Sequence, residues 1–182
     1  MEKEHIKRAI KGDERSFEYL VKSVEERAYN IALRYMGNRE DALDAMQEAF
    51  IKVYRNLPGF RMDSSFSTWV YRIVVNTCKD NLKVRARRYQ MMEESSEEKI
   101  LQVREEREIP EDRFLEREEA GNILKILNNL SSEHREILVL KDVNQLSYEE
   151  ISQVLDINIG TVRSRISRAR EAFKKIYTKQ KE

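Results

Sequence analysis

Residues 146–173 read LSYEEISQVLDINIGTVRSRISRAREAF. Ser147 followed by Glu150 is a capping box, in which the two side chains each satisfy one of the free amides that open a helix. The helix started there runs to Leu155. A tight connection spans Asp156 to Ile159, and a long basic helix follows from about Gly160 to Ile176. At about 100° per residue, Val162, Ile166, Ala169 and Phe173 share one narrow arc and pack inward. The opposite arc carries Ser164, Ser167 and Glu171, flanked by Arg163 and Arg168. A short capped helix, a tight turn and a basic second helix make a helix-turn-helix. Its outward arc suits the major groove of duplex DNA, where guanidinium forks pair with guanine edges and serine is tolerant. Arg165, Arg170, Lys174 and Lys175 lie to the sides, where phosphates would run. Many such units carry glycine in the turn; here Asn158 is the best turn former. The alternative, a solvated basic surface helix, leaves the capped helix and tight turn unexplained.

Working outward, the rest of the chain is also helical in pattern. Only five glycines and two prolines occur in 182 residues, which points to an all-α protein with short connections and against a β-sandwich. Ile123, Leu124, Ile126, Leu127 and Leu130 predict one helix before the helix-turn-helix, and Ile137, Leu138 and Leu140 a second. These complete a small four-helix domain over 119–182. At the other end, Asp13 caps a helix whose apolar positions are Phe17, Leu20, Val21, Val24, Ala28, Ile31 and Ala32, and Gly37 stops it. Asn38 caps the next, which buries Ala42, Met46, Ala49, Phe50 and Val53 and runs to about Asn56. After a loop from Gly59 to Ser67, a third long helix extends from about Thr68 to Arg88, with Val70, Ile73, Val74 and Thr77 as its core face. With a short first helix this makes a bundle over 1–90, large enough to fold by itself. Residues 91–118 are acidic, with Ser95, Ser96 and Pro110 among many charges, and are expected to be a flexible linker.

The net charge of +1 is uninformative in total but not in distribution. Basic blocks at Lys79–Arg88 and Arg163–Lys181 flank the acidic stretch, which suggests two anion-binding surfaces. One cysteine, Cys78, rules out an internal disulfide and is best read as a small core residue. His5 and His134 are isolated, so no metal, cofactor or small-molecule substrate is expected, and no Gly-rich phosphate loop or nucleophile cluster points to an enzyme. The N-terminus is charged and unlike a signal peptide, and no apolar run approaches the ~20 residues of a membrane span. A cytoplasmic protein without membrane insertion is expected.

The third helix carries a polar stripe of Arg72, Asn76, Lys79, Lys83 and Arg87 opposite its core. Trp69 opens it, and Phe60, Arg61 and Phe66 lie in the preceding loop. Rings stack unpaired bases while cations hold phosphates, so the group suits melted or single-stranded DNA. Trp69 and Phe66 are equally compatible with the core. On the second helix, Asp44, Gln47 and Glu48 form a polar patch that could equally be a solvated face.

Taken together, these residues resemble a bacterial RNA polymerase sigma factor of the extracytoplasmic-function type. QEAFIKVYRNL (47–57) is similar to the polymerase-binding helix of region 2, FSTWVYRIVVNTCKDNL (66–82) to the region that melts and reads the −10 element, and 146–171 to region 4, which reads the −35 element. The resemblance implies that Asp44, Gln47, Glu48 and Phe50 face the clamp coiled coil of the polymerase β′ subunit, with the β flap as a further contact. It implies that the loop from Phe60 through Ser64 to Phe66 captures a flipped base, and that Arg61, Trp69, Arg72, Asn76, Lys79 and Lys83 hold the −10 strand. Lys141, Thr161, Arg163, Ser164, Arg165, Ser167 and Arg168 match the −35-reading surface. Leu43 departs from the acidic residue often found beside the matching aspartate, and Ser167 occupies a variable position, so the −35 sequence preference does not carry over. Family behaviour implies an anti-sigma factor as a further partner, and the acidity of the run from Glu93 to Glu119 suits a linker that threads a basic polymerase channel. The competing reading is a free-standing helix-turn-helix regulator that binds operator DNA alone.

Overall fold

The computed structural model describes residues 1–95, 123, 126, 127 and 129–179. Helix α1 (Glu2–Ile10) leads into α2 (Glu14–Met36), α3 (Arg39–Asn56), a single 3-10 turn at Leu57–Gly59, and α4 (Phe66–Ser95). After Ile123, Ile126 and Leu127, which are helical, come α5 (Ser132–Leu138), a π turn (Val139–Val143), α6 (Tyr148–Leu155) and α7 (Ile159–Lys179). No strand occurs among the described residues.

The ends of these helices follow local chemistry. The Asp13 carboxylate accepts the Arg15 amide at 3.2 Å and the Ser16 hydroxyl at 2.7 Å, and these hydrogen bonds hold its pKa below the usual carboxylate value. Gly37 ends α2 in the left-handed region at φ 80°, where a Cβ would be strained. Asn38 accepts the Asp41 amide at 2.9 Å to open α3. Ser65 accepts the Thr68 amide at 3.1 Å, so α4 begins at Phe66, ahead of the expected Thr68. It continues to Ser95, beyond the expected end at Arg88. The acidic stretch expected as a linker otherwise lies outside the described residues.

In the first domain α2, α3 and α4 pack mutually around Leu20, Val24, Ala28, Ile31, Ala45, Ala49, Val53, Val70 and Val74, with α1 closing one side through Ile6. Alanines at the α3 contact let the helices approach closely. In the second domain α5 and α7 pack on Ile137, Leu140, Leu146, Ile151, Val162 and Ile166. Val139–Val143 winds wider than an α-helix, and buried Asn144 gives both its backbone amide and its side-chain amide to the Val139 carbonyl, each at 3.0 Å. The two domains are in contact: α4 packs against α6, and the apolar cluster runs through both.

Candidate nucleic-acid and polymerase interfaces

The helix-turn-helix is built by short-range bonds. Ser147 Oγ accepts the Glu150 amide at 3.1 Å, and the Glu150 carboxylate accepts the Ser147 amide at 2.8 Å, completing the expected capping box. The turn itself is made by Asp156, at φ 56° and ψ 47°, not by Asn158 as expected. Aspartate is among the few L residues that tolerate the left-handed region, so it does here what glycine does elsewhere. Ser152 Oγ donates to the Ile157 carbonyl at 2.5 Å and steadies the bend. Asn158 instead caps α7, its Oδ1 accepting the Thr161 amide at 2.8 Å and hydroxyl at 3.0 Å.

On α7, Val162, Ile166 and Ala169 are buried, while Arg163, Ser167 and Arg168 are exposed. Arg168 Nη2 donates to Ser164 Oγ at 3.2 Å, an (i, i+4) contact that holds one arm of the guanidinium along the helix. Three other expected cations are partly engaged. Arg165 is 27% exposed and lies 3.8 Å from Glu133 on α5. Arg170 pairs with Asp142 at 2.6 Å, which raises its pKa. Lys141 donates to the Leu146 carbonyl at 3.0 Å and sits 5.0 Å from the centre of the Tyr148 ring. The part of the expected surface whose side chains make no tie to another element is therefore Arg163, Ser164, Ser167 and Arg168, narrower than the sequence suggested.

At the start of α4 the three aromatic rings form one cluster of edge-on and tilted contacts. Trp69 lies 4.8 Å from Phe60 and 6.0 Å from Phe66, centroid to centroid. Phe66 is 1% and Phe60 8% exposed, so both support the loop from within, and of the three rings Trp69 alone is only partly buried. The loop between them carries exposed Arg61, ion-paired with Asp63 at 3.1 Å, and half-buried Ser64. Along α4, Arg72, Asn76 and Lys83 are exposed and Lys79 is half-buried. Cys78 is fully buried on the far side of that stripe, and burial pushes its thiol up to about 12.

On α3, partly exposed Glu48 is engaged within its own helix. It pairs with Lys52 at 2.8 Å, which lowers its pKa, and Lys52 also donates to Thr77 of α4 at 3.2 Å. What α3 presents outward is Asp44 and Gln47 beside exposed Leu43, Ile51 and Tyr54. Leu43, Gln47 and half-buried Phe50 line a groove with Lys22, Glu25 and Tyr29 of α2. The exposed apolar residues were missed as site residues because the sequence pattern could not tell an unpartnered apolar edge from core.

Two successive segments match the two DNA-handling parts of one class of transcription initiation factor. Residues 20–88 match Sigma-70 region 2 and residues 120–173 match Sigma-70 region 4. At the level of whole chains, the protein is 37% identical to the RNA polymerase sigma-H factor of Pseudomonas aeruginosa, covering 93% of this chain and 90% of that one. It is 38% identical to the ECF sigma-E factor of Escherichia coli K12, covering 92% and 90%, and 35% identical to the ECF factor SigW of Bacillus subtilis, covering 96% of each. The chain belongs to the sigma-70 family and is an alternative sigma factor of the extracytoplasmic-function type. Among solved structures, CnrH in complex with the cytosolic domain of CnrY superposes with a TM-score of 0.71 at 22% identity over 96% of this chain and 95% of that one. The sigma factor RpoE of Bartonella quintana, in complex with the anti-sigma factor NepR, gives 0.69 at 23% identity over 89% and 96%. At these identities the likeness concerns the fold.

Proposed function

We propose that this sigma factor divides promoter recognition among three surfaces. The edge of α3 with Asp44, Gln47, Leu43 and Phe50 docks on the β′ clamp of core polymerase, its exposed apolar residues gaining burial only in the complex. The outward arc of α7, Arg163, Ser164, Ser167 and Arg168, enters the major groove at the −35 element. Trp69, Arg61 and the stripe Arg72, Asn76, Lys79 and Lys83 hold the unpaired −10 strand, the ring stacking a base and the cations neutralising phosphates. The observation that carries this reading is that α7 leaves Arg163 and Ser167 exposed while Arg165 and Arg170 on the same helix face acids of the domain.

The protein supplies binding energy and no bond chemistry of its own; nucleotide polymerisation belongs to the core enzyme. It works in the cytoplasm beside that enzyme, and no described helix is long and apolar enough to cross a membrane. An anti-sigma factor is an expected partner; the Bartonella protein forms a complex with one, NepR.

Run-off transcription by bacterial core polymerase on a pool of promoter fragments tests the assignment. Core-dependent initiation at particular fragments, with a shared −35 and −10 pair, is the expected result. Tight operator binding by the protein alone, without stimulation of core, would instead mark a free-standing regulator.

A further inference from the structure

The outer edge of α3 is ordered twice over, by apolar residues and by charge. At about 100° per residue, Leu43, Asp44, Gln47, Ile51, Tyr54 and Arg55 share the arc opposite buried Ala42, Ala45 and Ala49, and all six are exposed. Leu43, Ile51 and Tyr54 each leave about half of their surface in water, and the Tyr54 ring is already set in an edge-to-face contact with Phe17 of α2 at 5.0 Å. On the adjoining flank the charges are spent within the chain, Glu48 on Lys52 and Asp41 on Arg85. Asp44 and Arg55 differ. Neither makes a hydrogen bond or ion pair among the described residues.

The order of these residues is its own complement. Leu43 and Tyr54 stand eleven positions apart, Asp44 and Arg55 likewise eleven, and Gln47 and Ile51 four; all three pairs are centred at Ala49, to within half a position. A second copy of the helix laid antiparallel across that centre sets Leu43 against Tyr54, Gln47 against Ile51 and Asp44 against Arg55. Each contact is then made twice, as a two-fold interface requires. In antiparallel packing each flank of a helix meets the same flank of its partner, so the charged pair stays on one side of the seam and Leu43 with Tyr54 on the other. Parallel packing would bring Asp44 onto Asp44 and Arg55 onto Arg55, so charge selects the antiparallel form.

We propose that the free chain pairs with a second copy of itself through α3, antiparallel about Ala49, and that polymerase must draw single chains from this resting pair. The second half of that statement rests on the docking of α3 on the β′ clamp. An edge that gains burial only in a complex has, before polymerase, one surface of matching order at hand, its own. The seam covers three turns, about 17 Å, which suits a reversible pair of about micromolar strength and not an obligate dimer. One edge cannot hold both partners. Above the pairing concentration, further protein therefore adds more to the pool of pairs than to holoenzyme.

Sedimentation velocity of the full chain from about 1 to 100 μM tests the pairing. A shift from one copy to two with rising concentration is expected. Ile51→Glu puts an acid into the apolar seam and should leave a single chain throughout; unchanged pairing would overturn the assignment to α3. Asp44→Arg and Arg55→Asp each set like charges together, and each should pair about 10-fold more weakly than the parent, or worse. Mixed in equal amounts, these two variants carry opposite charges at both ends of the seam, and the two-chain species should return at the parent's concentration. No recovery on mixing would overturn the antiparallel order. All three positions are exposed, so the variants should keep the parent's helix content and melting by circular dichroism. Adding core polymerase should dissolve the pair into a holoenzyme with one copy of the chain. A chain that stays single over the whole range, its α3 edge covered only when core is present, would give that edge to polymerase alone and overturn the proposal. Pairing with the expected charge behaviour but without core-dependent initiation would uphold the dimer and refute the clamp docking on which its competition with polymerase rests.

Discussion

Replacing Arg163 by alanine separates base reading from phosphate binding. Arg163 is exposed and makes no hydrogen bond or ion pair among the described residues, so its loss should change folding stability by no more than about 0.5 kcal/mol. If its guanidinium reads a guanine edge in the major groove, truncation removes a bidentate pair worth about 1–3 kcal/mol, or about 5- to 150-fold in discrimination at one base pair. Arg168 lies on the same outward arc but already gives one arm to Ser164 at 3.2 Å, so Arg168→Ala should fall in the lower part of that range. The assay is competition binding of holoenzyme to a −35 library randomised one position at a time, at fixed salt. The expected outcome for Arg163→Ala is relaxed preference at one position with the others intact. A uniform loss across all sequences, with a shallower salt dependence, would make Arg163 a phosphate contact and refute the groove assignment.

Three other outcomes are expected. Trp69→Ala should impair promoter opening far more than duplex binding, because the ring lies beside the strand-holding stripe; unchanged permanganate reactivity of −10 thymines would contradict it. Ser147→Ala removes one half of the capping box that opens α6 and should cost about 1 kcal/mol in thermal unfolding of the second domain. Cys78 gives a pH dependence: its thiol is pushed from 9.0 to about 12 in the folded chain, so between those values the native state keeps a proton that the unfolded state releases. Stability then falls as pH rises through that window, and Cys78→Ala should flatten the fall in denaturant titrations between pH 8.5 and 11.

What could be read from residue order alone was whatever depends on neighbours within a few positions. The Asp13, Asn38 and Ser147 caps, the Gly37 stop and the inward arc of α7 all rest on contacts spanning one to seven residues, and each is where the pattern put it. The order of a strand-holding segment and a groove-reading segment was likewise legible, because both motifs are continuous strings. The turn was misassigned between Asp156 and Asn158 because both residues tolerate the left-handed region and only the backbone path distinguishes them.

Only tertiary structure decided which polar residues are free. Lys52 of α3 reaches Thr77 of α4, Arg165 approaches Glu133, and Phe60 and Phe66 lie inside the loop they were expected to line. Tyr71 and Val75 are buried although they lie outside the expected core face of α4, whereas Cys78 is in the core as expected. Helical periodicity identifies one buried face from the chain's own repeat, whereas a second face covered by a distant domain adds apolar residues without a separate signature. The joining of Tyr35 to Glu136 across 101 positions had no local trace at all. Such a contact depends on the balance between desolvating a carboxylate and pairing it, and that balance exists only once the two domains have met.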